Sequence, residues 1–527
     1  MREGRQIDVD ATTPHRRLAL TVPESARTVV LVGSRDDRIP AALKERRPPP
    51  LVYGVDSPAA LGPGVGAHLD GFFELDLDLE VPPLEAGSVD CIVYPETLLR
   101  LRDPLGVLRR HRSLLSASGT ISCSVPNLQH QSVVRGLLRG VFPYAEGTLL
   151  DPSYLRLFTS ASIVQLLLDA GYAPDTVDRI VDGDDPQMLT AGAPLFEFLD
   201  VGAQDAERDL RTAWLLVGGQ RLPEISPAAE IPLTFVACVN DDEQLGANLL
   251  HSPCLRGAGP HELLVFRGCA SAAEGLNAGI EQAKNELVVL VHQDVYLPEG
   301  WPARMVAQWR LARQRGGPVG IGGVFGVLDR RVPFDAIGRV VHRDRLLSHR
   351  DLPSDVDGLD ELLMVVPSDT PLRVDPALGW HLYGTDLALQ AQERDLRVVV
   401  VDAPCHHNSL TGRVPSKYRD SERVLARKWQ KLLPIHTNLS SIGSWLIDAG
   451  DAGDASDPAQ ELAVDHDQQG SEPPAVAELV TRLRREQVAL NVELEQARLQ
   501  VASMQASPFW RAREVYAGLR RRLVHRG

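Results

Sequence analysis

The second half of the chain carries carboxylates and imidazoles just after strand-like apolar runs or at the start of a helix. These residues are His292, Gln293 and Asp294 after one apolar run, Asp386 at a helix start, and His406 and His407 after another apolar run. Carboxylates and imidazoles can ligate a divalent cation, and a carboxylate can accept a proton from an attacking hydroxyl. In open α/β sheets, ligands bind where the strands end. The chemistry of this chain is therefore expected at these positions.

Each of these residues also has an interpretation without chemistry. A carboxylate such as Asp294 can cap a helix or close a turn at a strand end. The pair His406-His407 can satisfy backbone carbonyls inside a sheet, and Trp380, near Asp386, can pack in a core. The companion motifs favour a functional role for Asp294 and for the histidine pair. For Trp380 both interpretations stay open.

The composition argues against several classes of function. The chain has 527 residues, 44% hydrophobic and 24% charged, so it is long enough for several domains with buried cores. A formal charge of -15 argues against binding to nucleic acid through phosphate neutralisation. The six cysteines include no CxxC pair, and the sequence shows neither a signal peptide nor a membrane span. These features predict a cytoplasmic protein.

Composition breaks divide the chain into two globular parts and a tail. Both globular parts alternate strand-like apolar runs with amphipathic stretches, which predicts two successive α/β domains. An acidic stretch after them predicts a disordered linker, and apolar residues at alternating spacings of four and three predict a coiled coil. The predicted segments are an extension (1–26), two α/β domains (27–221 and 222–447), the linker (448–474), the coiled coil (475–506) and a basic amphipathic tail (507–527).

The last two segments predict partners of different kinds. A coiled coil at 475–506 predicts a homo-oligomer. The tail at 507–527 combines arginines with apolar residues at helical spacing, so it can lie on an anionic membrane surface. It can equally be the solvated, charged end of the coiled-coil helix. Both interpretations stay open, and the first predicts peripheral contact with the inner face of the membrane.

The second α/β domain resembles the GT-A glycosyltransferases of family 2, over residues 231–436. The resemblance rests on the motif at residues 292–294, on Asp386 and on the histidine pair, and it indicates a branch with His-Gln-Asp in place of the usual Asp-x-Asp. It implies a nucleotide-diphosphate sugar as donor. It also implies Mg²⁺ or Mn²⁺, because the diphosphate that leaves carries charge that an acidic protein cannot neutralise.

The resemblance further implies a role for each residue. The implied metal ligands are Asp294 and either His406 or His407. The implied contacts to the donor are Asp241, Asn277 and His292. Asp386 matches the position of the base that takes the proton of the acceptor hydroxyl. The sugar or acceptor pocket would contain Trp380 and His381.

The first α/β domain resembles the class I S-adenosylmethionine-dependent methyltransferases, over residues 27–221. One strand-like run ends at Gly33 and the next ends at Asp56, at a spacing that suits a carboxylate bound to a ribose diol. The resemblance implies that Gly33 and Asp56 would contact S-adenosylmethionine. The first loop, however, carries Arg35 and Asp37 where the family has glycines, and these side chains would crowd the cofactor. The sequence therefore favours a degenerate domain without cofactor, with a divergent methyltransferase as the alternative.

The two resemblances predict a fusion of a methyltransferase-like module with a glycosyltransferase. The enzyme would move a sugar to a glycan, lipid or metabolite acceptor, with metal assistance and inversion by direct displacement. Such an activity belongs to cell-surface or secondary-metabolite glycan synthesis. Two alternatives stay open: a bifunctional methyltransferase and glycosyltransferase, and a non-catalytic scaffold whose degenerate domains bind nucleotides or glycans.

Overall fold

The computed structural model describes most of the chain between residues 14 and 446. The described residues are 14–33, 37–57, 65–142, 144–182, 186–198, 201–225, 231–257, 259–333, 335–342, 345–348, 352–409, 417–444 and 446. The predicted linker (448–474), coiled coil (475–506) and tail (507–527) lie outside them. Within the described part, no helix is both long and apolar enough to cross a membrane.

The first unit is built on a seven-stranded sheet. Its strands are β1 (Thr28–Val32), β2 (Leu51–Asp56), β3 (Gly71–Glu74), β4 (Val89–Pro95), β5 (Leu115–Pro126), β6 (Tyr172–Val181) and β7 (Thr212–Arg221). The strand order is β3-β2-β1-β4-β5-β7-β6, and only β7 runs antiparallel to its neighbours. Strand order reverses between β1 and β4, which opens a crevice at the ends of these strands.

Helices cover both faces of this sheet. They are α1 (Pro14–Thr21), α2 (Arg38–Lys44), α3 (Pro104–His111), α4 (Gln131–Leu138), α5 (Ser160–Asp169), α6 (Pro186–Phe198) and α7 (Ala203–Arg211). The residues of strand β1 are apolar because both of its faces are buried. Val30 and Val32 pack in one core, and Val29 and Leu31 pack in the other. A strand buried on both faces reads as a continuous apolar run. Helix α1 lies in the predicted extension and packs Leu18 into the second of these cores.

The second unit is built on another seven-stranded sheet. Its strands are β8 (Leu233–Val239), β9 (Glu262–Arg267), β10 (Leu287–Val291), β12 (Val319–Gly323), β16 (Ser354–Asp355), β18 (Leu363–Pro367) and β19 (Arg397–Val400). The order is β16-β19-β12-β18-β10-β8-β9, with β18 antiparallel to both of its neighbours. Strand β10 is buried on both faces, because Val288 and Leu290 pack in one core and Leu287, Val289 and Val291 in the other.

A smaller sheet extends the second unit beyond the end of β10. Its strands are β11 (Val295–Tyr296), β13 (Phe325–Val327), β14 (Ala336–His342), β15 (Arg345–Ser348), β17 (Gly358–Leu359) and β20 (Cys405–His407), in the order β11-β20-β14-β13-β17 with β15 on β14. A short pair follows, β21 (Ile435–His436) with β22 (Ser441–Ile442). The helices are α8 (Asp242–Ala247), α9 (Ala272–Gln282), α10 (Trp301–Gln314), α11 (Tyr383–Glu393) and α12 (Tyr418–Lys428).

The predicted fold class is confirmed by these two sheets. The first unit has a largely parallel sheet and the second a mixed one, both covered by helices, as alternating apolar runs and amphipathic stretches predict. Strand β7 ends at Arg221 and β8 begins at Leu233, so the predicted boundary at residue 222 falls between the two sheets.

Candidate functional site

The His-Gln-Asp motif lies where the central strand β10 leaves the large sheet. All five residues of β10 are buried, so the first polar residue after it, His292, emerges at the sheet edge. The N–H of His292 donates to the carbonyl of Leu362 at 3.0 Å, just before the neighbouring strand β18. The chain then enters β11 at Val295, which pairs with His407 of β20. This pairing brings the histidine pair, His406 and His407, next to the His-Gln-Asp motif.

Three side chains form a group that could hold a cation, which we call the His-Asp-His cluster: His292, Asp294 and His407. One ligand atom from each lies within 4.8 Å of the other two. Oδ1 of Asp294 is 3.3 Å from Nε2 of His407 and 4.0 Å from Nδ1 of His292. Two imidazoles and a carboxylate suit Mn²⁺ and other first-row metals better than Mg²⁺, which prefers oxygen ligands.

The electrostatics of the cluster fit a bound cation. Burial raises the pKa of Asp294, but the neighbouring His407 and His292 outweigh it and lower the pKa below its usual range. Burial also lowers the pKa of His292, which keeps its imidazole neutral and its lone pair free to ligate. Oδ1 of Asp294 is buried without a well-aligned hydrogen bond from the described residues. A buried anionic oxygen of this kind is a suitable ligand for a metal ion.

The sequence left His406 and His407 as alternatives, and the structure brings His407 to the cluster. Consecutive residues of a strand face opposite sides, so His406 points away and is fully buried. The sequence analysis missed His342, whose Nδ1 is 3.1 Å from Nδ1 of His407. Because His407 turns Nε2 towards Asp294, this second contact orients its ring. The signal was present, since His342 also follows an apolar run, Val340-Val341.

The middle residue of the motif connects the cluster to the end of β8. Oε1 of Gln293 accepts hydrogen bonds from the N–H groups of Asn240 (3.0 Å) and Asp241 (3.1 Å), and its amide donates to Oδ1 of Asn240. Oδ1 of Asp241 caps α8 by accepting from two N–H groups of its first turn. Asp241 is exposed, so the structure places this predicted donor contact beside the motif and open to solvent.

Asp386 does not have the surroundings of a catalytic base, which corrects the sequence prediction. Its side chain is 0% exposed. Four hydrogen bonds from three residues hold its carboxylate: Nε2 of Gln390 (2.7 Å), Nε1 of Trp429 (2.8 Å), and Nζ of Lys428 to Oδ1 (2.9 Å) and Oδ2 (3.0 Å). This enclosure does not suit a group that must accept a proton from an acceptor hydroxyl. Asp386 instead joins α11 to α12.

A different carboxylate, Glu361, precedes β18 and contacts the backbone just before α11. The sequence analysis missed it. Its Oε1 accepts from the N–H of Leu382 at 3.1 Å, and the backbone of Gly384 also stabilises its charged form. Burial and the neighbouring Asp360 nevertheless raise the pKa of Glu361 to about 8. A carboxyl group whose pKa is moved towards neutrality at a strand end is a candidate acid or base.

The backbone around Glu361 is unusual in a way that brings α11 close to it. Leu382 has a φ of 63°, a left-handed conformation that costs a residue with a side chain about 1–2 kcal/mol. A Cβ on Gly384 would lie 2.6 Å from the carbonyl oxygen of Leu359, so only glycine permits this approach. Tyr383, between these two residues, contacts Nε2 of His292 through its hydroxyl at 2.9 Å. The start of α11 thus connects Glu361 with the His-Asp-His cluster.

The remaining predicted residues of the second unit differ in their surroundings. Asn277 uses its side chain in two hydrogen bonds of 2.9 Å to the backbone of Val374, so its amide is committed to the fold rather than to a donor, which corrects that prediction. Trp380 is 38% exposed, which favours a surface role over core packing. Burial lowers the pKa of His381, and the nearby imidazole of His292 lowers it further.

The first unit contains a separate cavity of about 520 Å³ at the crevice between β1 and β4. Both predicted residues line it: Gly33, with a φ of 75°, and Asp56, which is 6% exposed. Four more carboxylates line the same wall: Glu74, Asp76, Asp78 and Glu80. Such a wall suits a ligand with cationic groups. The Asp37 carboxylate turns to Nδ1 of His68 at 2.5 Å, and Arg35 lies outside the described residues.

Comparisons with known proteins give structural neighbours and one family match. A search of curated protein sequences returns no match. Similar solved structures include S-adenosylmethionine-dependent methyltransferases from three organisms. They are from Archaeoglobus fulgidus (11% identity, TM-score 0.29, 39% of this chain and 90% of that chain), Mesorhizobium loti (20%, 0.26, 39% and 96%) and Aquifex aeolicus (12%, 0.27, 40% and 96%).

The second unit has a match among family models. Residues 234–428 match the model described as "Glycosyltransferase like family". This range includes the His-Asp-His cluster, Glu361 and the start of α11. The predicted resemblance is confirmed, since residues 234–428 are similar to this family.

Proposed function

We propose that the second unit transfers a sugar from a nucleotide-diphosphate donor to a hydroxyl of a glycan, lipid or metabolite, with a divalent cation held by the His-Asp-His cluster. The observation that carries this proposal is the cluster itself, at a strand end of a glycosyltransferase-like domain. When bound, the cation would supply positive charge to the leaving diphosphate. Asp294, His407 and His292 would hold it.

The chain's own residues supply the remaining steps. Gln293 fixes the loop after β8, so the exposed Asp241 stands beside the motif where it can bind the nucleotide. Glu361 would accept the proton of the attacking hydroxyl, in place of the enclosed Asp386. Direct attack on the anomeric carbon from the face opposite the diphosphate inverts its configuration. Trp380, with its exposed ring, and His381 would contact the sugar or the acceptor.

Binding of the donor tests this proposal. UDP-, GDP- and dTDP-sugars are titrated by calorimetry into the full-length protein with and without Mn²⁺, and into Asp294→Ala. We expect binding that requires Mn²⁺ and that Asp294→Ala abolishes. Asp420→Ala is the matched control, because Asp420 is an exposed carboxylate in the same domain whose ion pair among the described residues is with Arg423, three residues away.

Two results would contradict the proposal. Donor binding that is equal with and without Mn²⁺ would exclude the role of the His-Asp-His cluster. Absence of binding to any donor by the wild-type protein would favour the alternative of a non-catalytic scaffold.

The cavity of the first unit supports a second candidate activity, methyl transfer from S-adenosylmethionine. Its carboxylate wall suits a sulfonium and an ammonium group, and Asp56 lies at the position that would bind the ribose. Calorimetry with S-adenosylmethionine should show saturable binding that Asp56→Ala abolishes and that Glu85→Gln, a change of an exposed carboxylate, leaves intact. No binding to the wild-type protein would leave the first unit without this cofactor.

Location and assembly remain inferences from the sequence. We infer a cytoplasmic enzyme that forms a homo-oligomer through residues 475–506. Residues 507–527 would give it peripheral contact with the inner face of the membrane.

A further inference from the structure

The three strands β11, β20 and β14 present two different faces. Cross-strand pairs share a face, so His407 lies on one face with Val295 and His342, its partners in β11 and β14. His406 lies on the other face with its partners Tyr296 and Val341. The first face carries His407 of the His-Asp-His cluster. The second face is the reverse side of the same strands.

The first α/β unit covers this reverse face. The hydroxyl of Tyr296 donates to Oδ1 of Asp169 at the end of α5, at 2.8 Å. Val341 is 2% exposed and packs in the core of the first unit, although it belongs to β14 of the second. The guanidinium of Arg304 donates to the carbonyl of Pro223 at 2.7 Å nearby. The two units therefore meet directly behind the His-Asp-His cluster.

Two of these contacts, those of Tyr296 and Val341, involve residues close to the site. Tyr296 follows Asp294 by two residues and pairs with His406, the chain neighbour of His407. Val341 precedes His342, whose ring contacts His407. Strand β11 has two residues and β20 has three, so these two strands have few ladder hydrogen bonds of their own to fix their position. The packing on the reverse face therefore contributes to where the imidazole of His407 stands.

The contact between Tyr296 and Asp169 is well suited to hold a strand in place. Burial raises the pKa of Asp169, while the hydrogen bond from Tyr296 and the backbone of Glu299 oppose that rise. Both of these partners come from the segment that follows Asp294. A buried carboxyl that loses a donor is destabilised, so the two units resist separation at this point.

We propose that the first unit is a structural part of the glycosyltransferase site, in which Asp169 and Tyr296 act as positioning residues for His407. The expected effect on cation binding rests on the proposed metal-assisted function. The expected effect on the position of strand β20 does not. It gives the methyltransferase-like unit a role that does not depend on methyl transfer.

The test compares Tyr296→Phe and Asp169→Asn with the wild-type full-length protein. Mn²⁺ is titrated into each protein well below its unfolding temperature. Electron paramagnetic resonance measures the free Mn²⁺ and so gives the Kd. We expect the Kd to rise about tenfold in both variants, the low end of the loss seen when a partner that orients a metal ligand is removed. Glu299→Gln is the control, because it changes an exposed pair with Arg109 at 4.0 Å in the same interface. It should leave the Kd unchanged.

Hydrogen–deuterium exchange provides a readout that needs no metal. Peptides that contain Cys405–His407 should exchange faster in Tyr296→Phe and Asp169→Asn than in the wild type, and those that contain β1 should not. Unchanged exchange in β20, or a lower unfolding temperature with an unchanged Mn²⁺ Kd, would overturn the proposal. If the wild type shows no Mn²⁺ binding, the proposed metal-assisted function fails, and the exchange of β20 still decides whether the first unit positions this strand.

Discussion

Nε2 of His407 lies 3.3 Å from Oδ1 of Asp294, although the two residues belong to different motifs, one in the turn before β11 and the other in β20. The antiparallel pairing of β11 with β20 creates this contact, because Val295 and His407 are direct partners. The predictions below follow from this arrangement and from the surroundings of Glu361 and Asp386.

The first prediction concerns the cation. His407→Ala should weaken Mn²⁺ binding at least about tenfold, because it removes one of three ligands and leaves Asp294 without its nearest partner. Calorimetric titration with Mn²⁺ measures the Kd. His68→Ala is a matched control, since His68 also contacts an aspartate, Asp37, but in the first unit. Equal Mn²⁺ affinity in His407→Ala and the wild type would exclude His407 as a ligand.

The second prediction concerns the base. Glu361→Gln should lower kcat by about 10²–10⁴-fold, because an amide cannot accept the proton, while the Kd of the donor stays the same. Glu393→Gln changes an exposed glutamate of α11 and should retain activity. An active Glu361→Gln enzyme would exclude Glu361 as the base, and the neighbouring Asp360 would be the next candidate.

The third prediction is a pH profile. Because the base must be deprotonated and the pKa of Glu361 is about 8, kcat/KM should rise by about tenfold per pH unit below that value and then level off. Initial rates at low donor concentration, measured across this range, test the profile. A profile that levels off near the ordinary glutamate pKa of 4.5 would contradict the assignment.

The fourth prediction links Glu361 to stability. A carboxyl whose pKa is raised on folding keeps its proton in the folded state after the unfolded chain has lost it. The wild type therefore loses stability as pH rises from 4.5 towards about 8. Glu361→Gln removes this loss, so its unfolding temperature should exceed that of the wild type increasingly over this range. Differential scanning calorimetry at several pH values measures the difference, and parallel curves would contradict it.

The fifth prediction separates Asp386 from catalysis. Asp386→Asn should lower the free energy of unfolding by about 2–4 kcal/mol, because Lys428 loses its buried counter-charge. Urea unfolding measures this change, with Asp420→Asn as the control on the surface of α12. At a temperature where the variant is folded, kcat should stay within a few-fold of the wild type. A loss as large as that of Glu361→Gln would restore Asp386 as the base.

The sequence by itself determined the two α/β units and the emergence of polar residues at the end of β10. Both are local properties. A run such as Leu287–Val291 is apolar because both faces of its strand are buried, and the first polar residues after it must emerge at the sheet edge. The types of residue at 292–294 and 406–407 were sufficient to predict that possible metal ligands come together here.

Only the tertiary structure decided which side chains meet. The choice of His407 over His406 depends on the register of β20 against β11, since a shift of one residue would exchange the two faces. The enclosure of Asp386 depends on Lys428 and Trp429 of a helix that packs against α11 from elsewhere in the chain. Glu361 reaches the site because β18 runs antiparallel beside β10. Strand register and helix packing are set by non-local contacts, and a local pattern of residues does not record them.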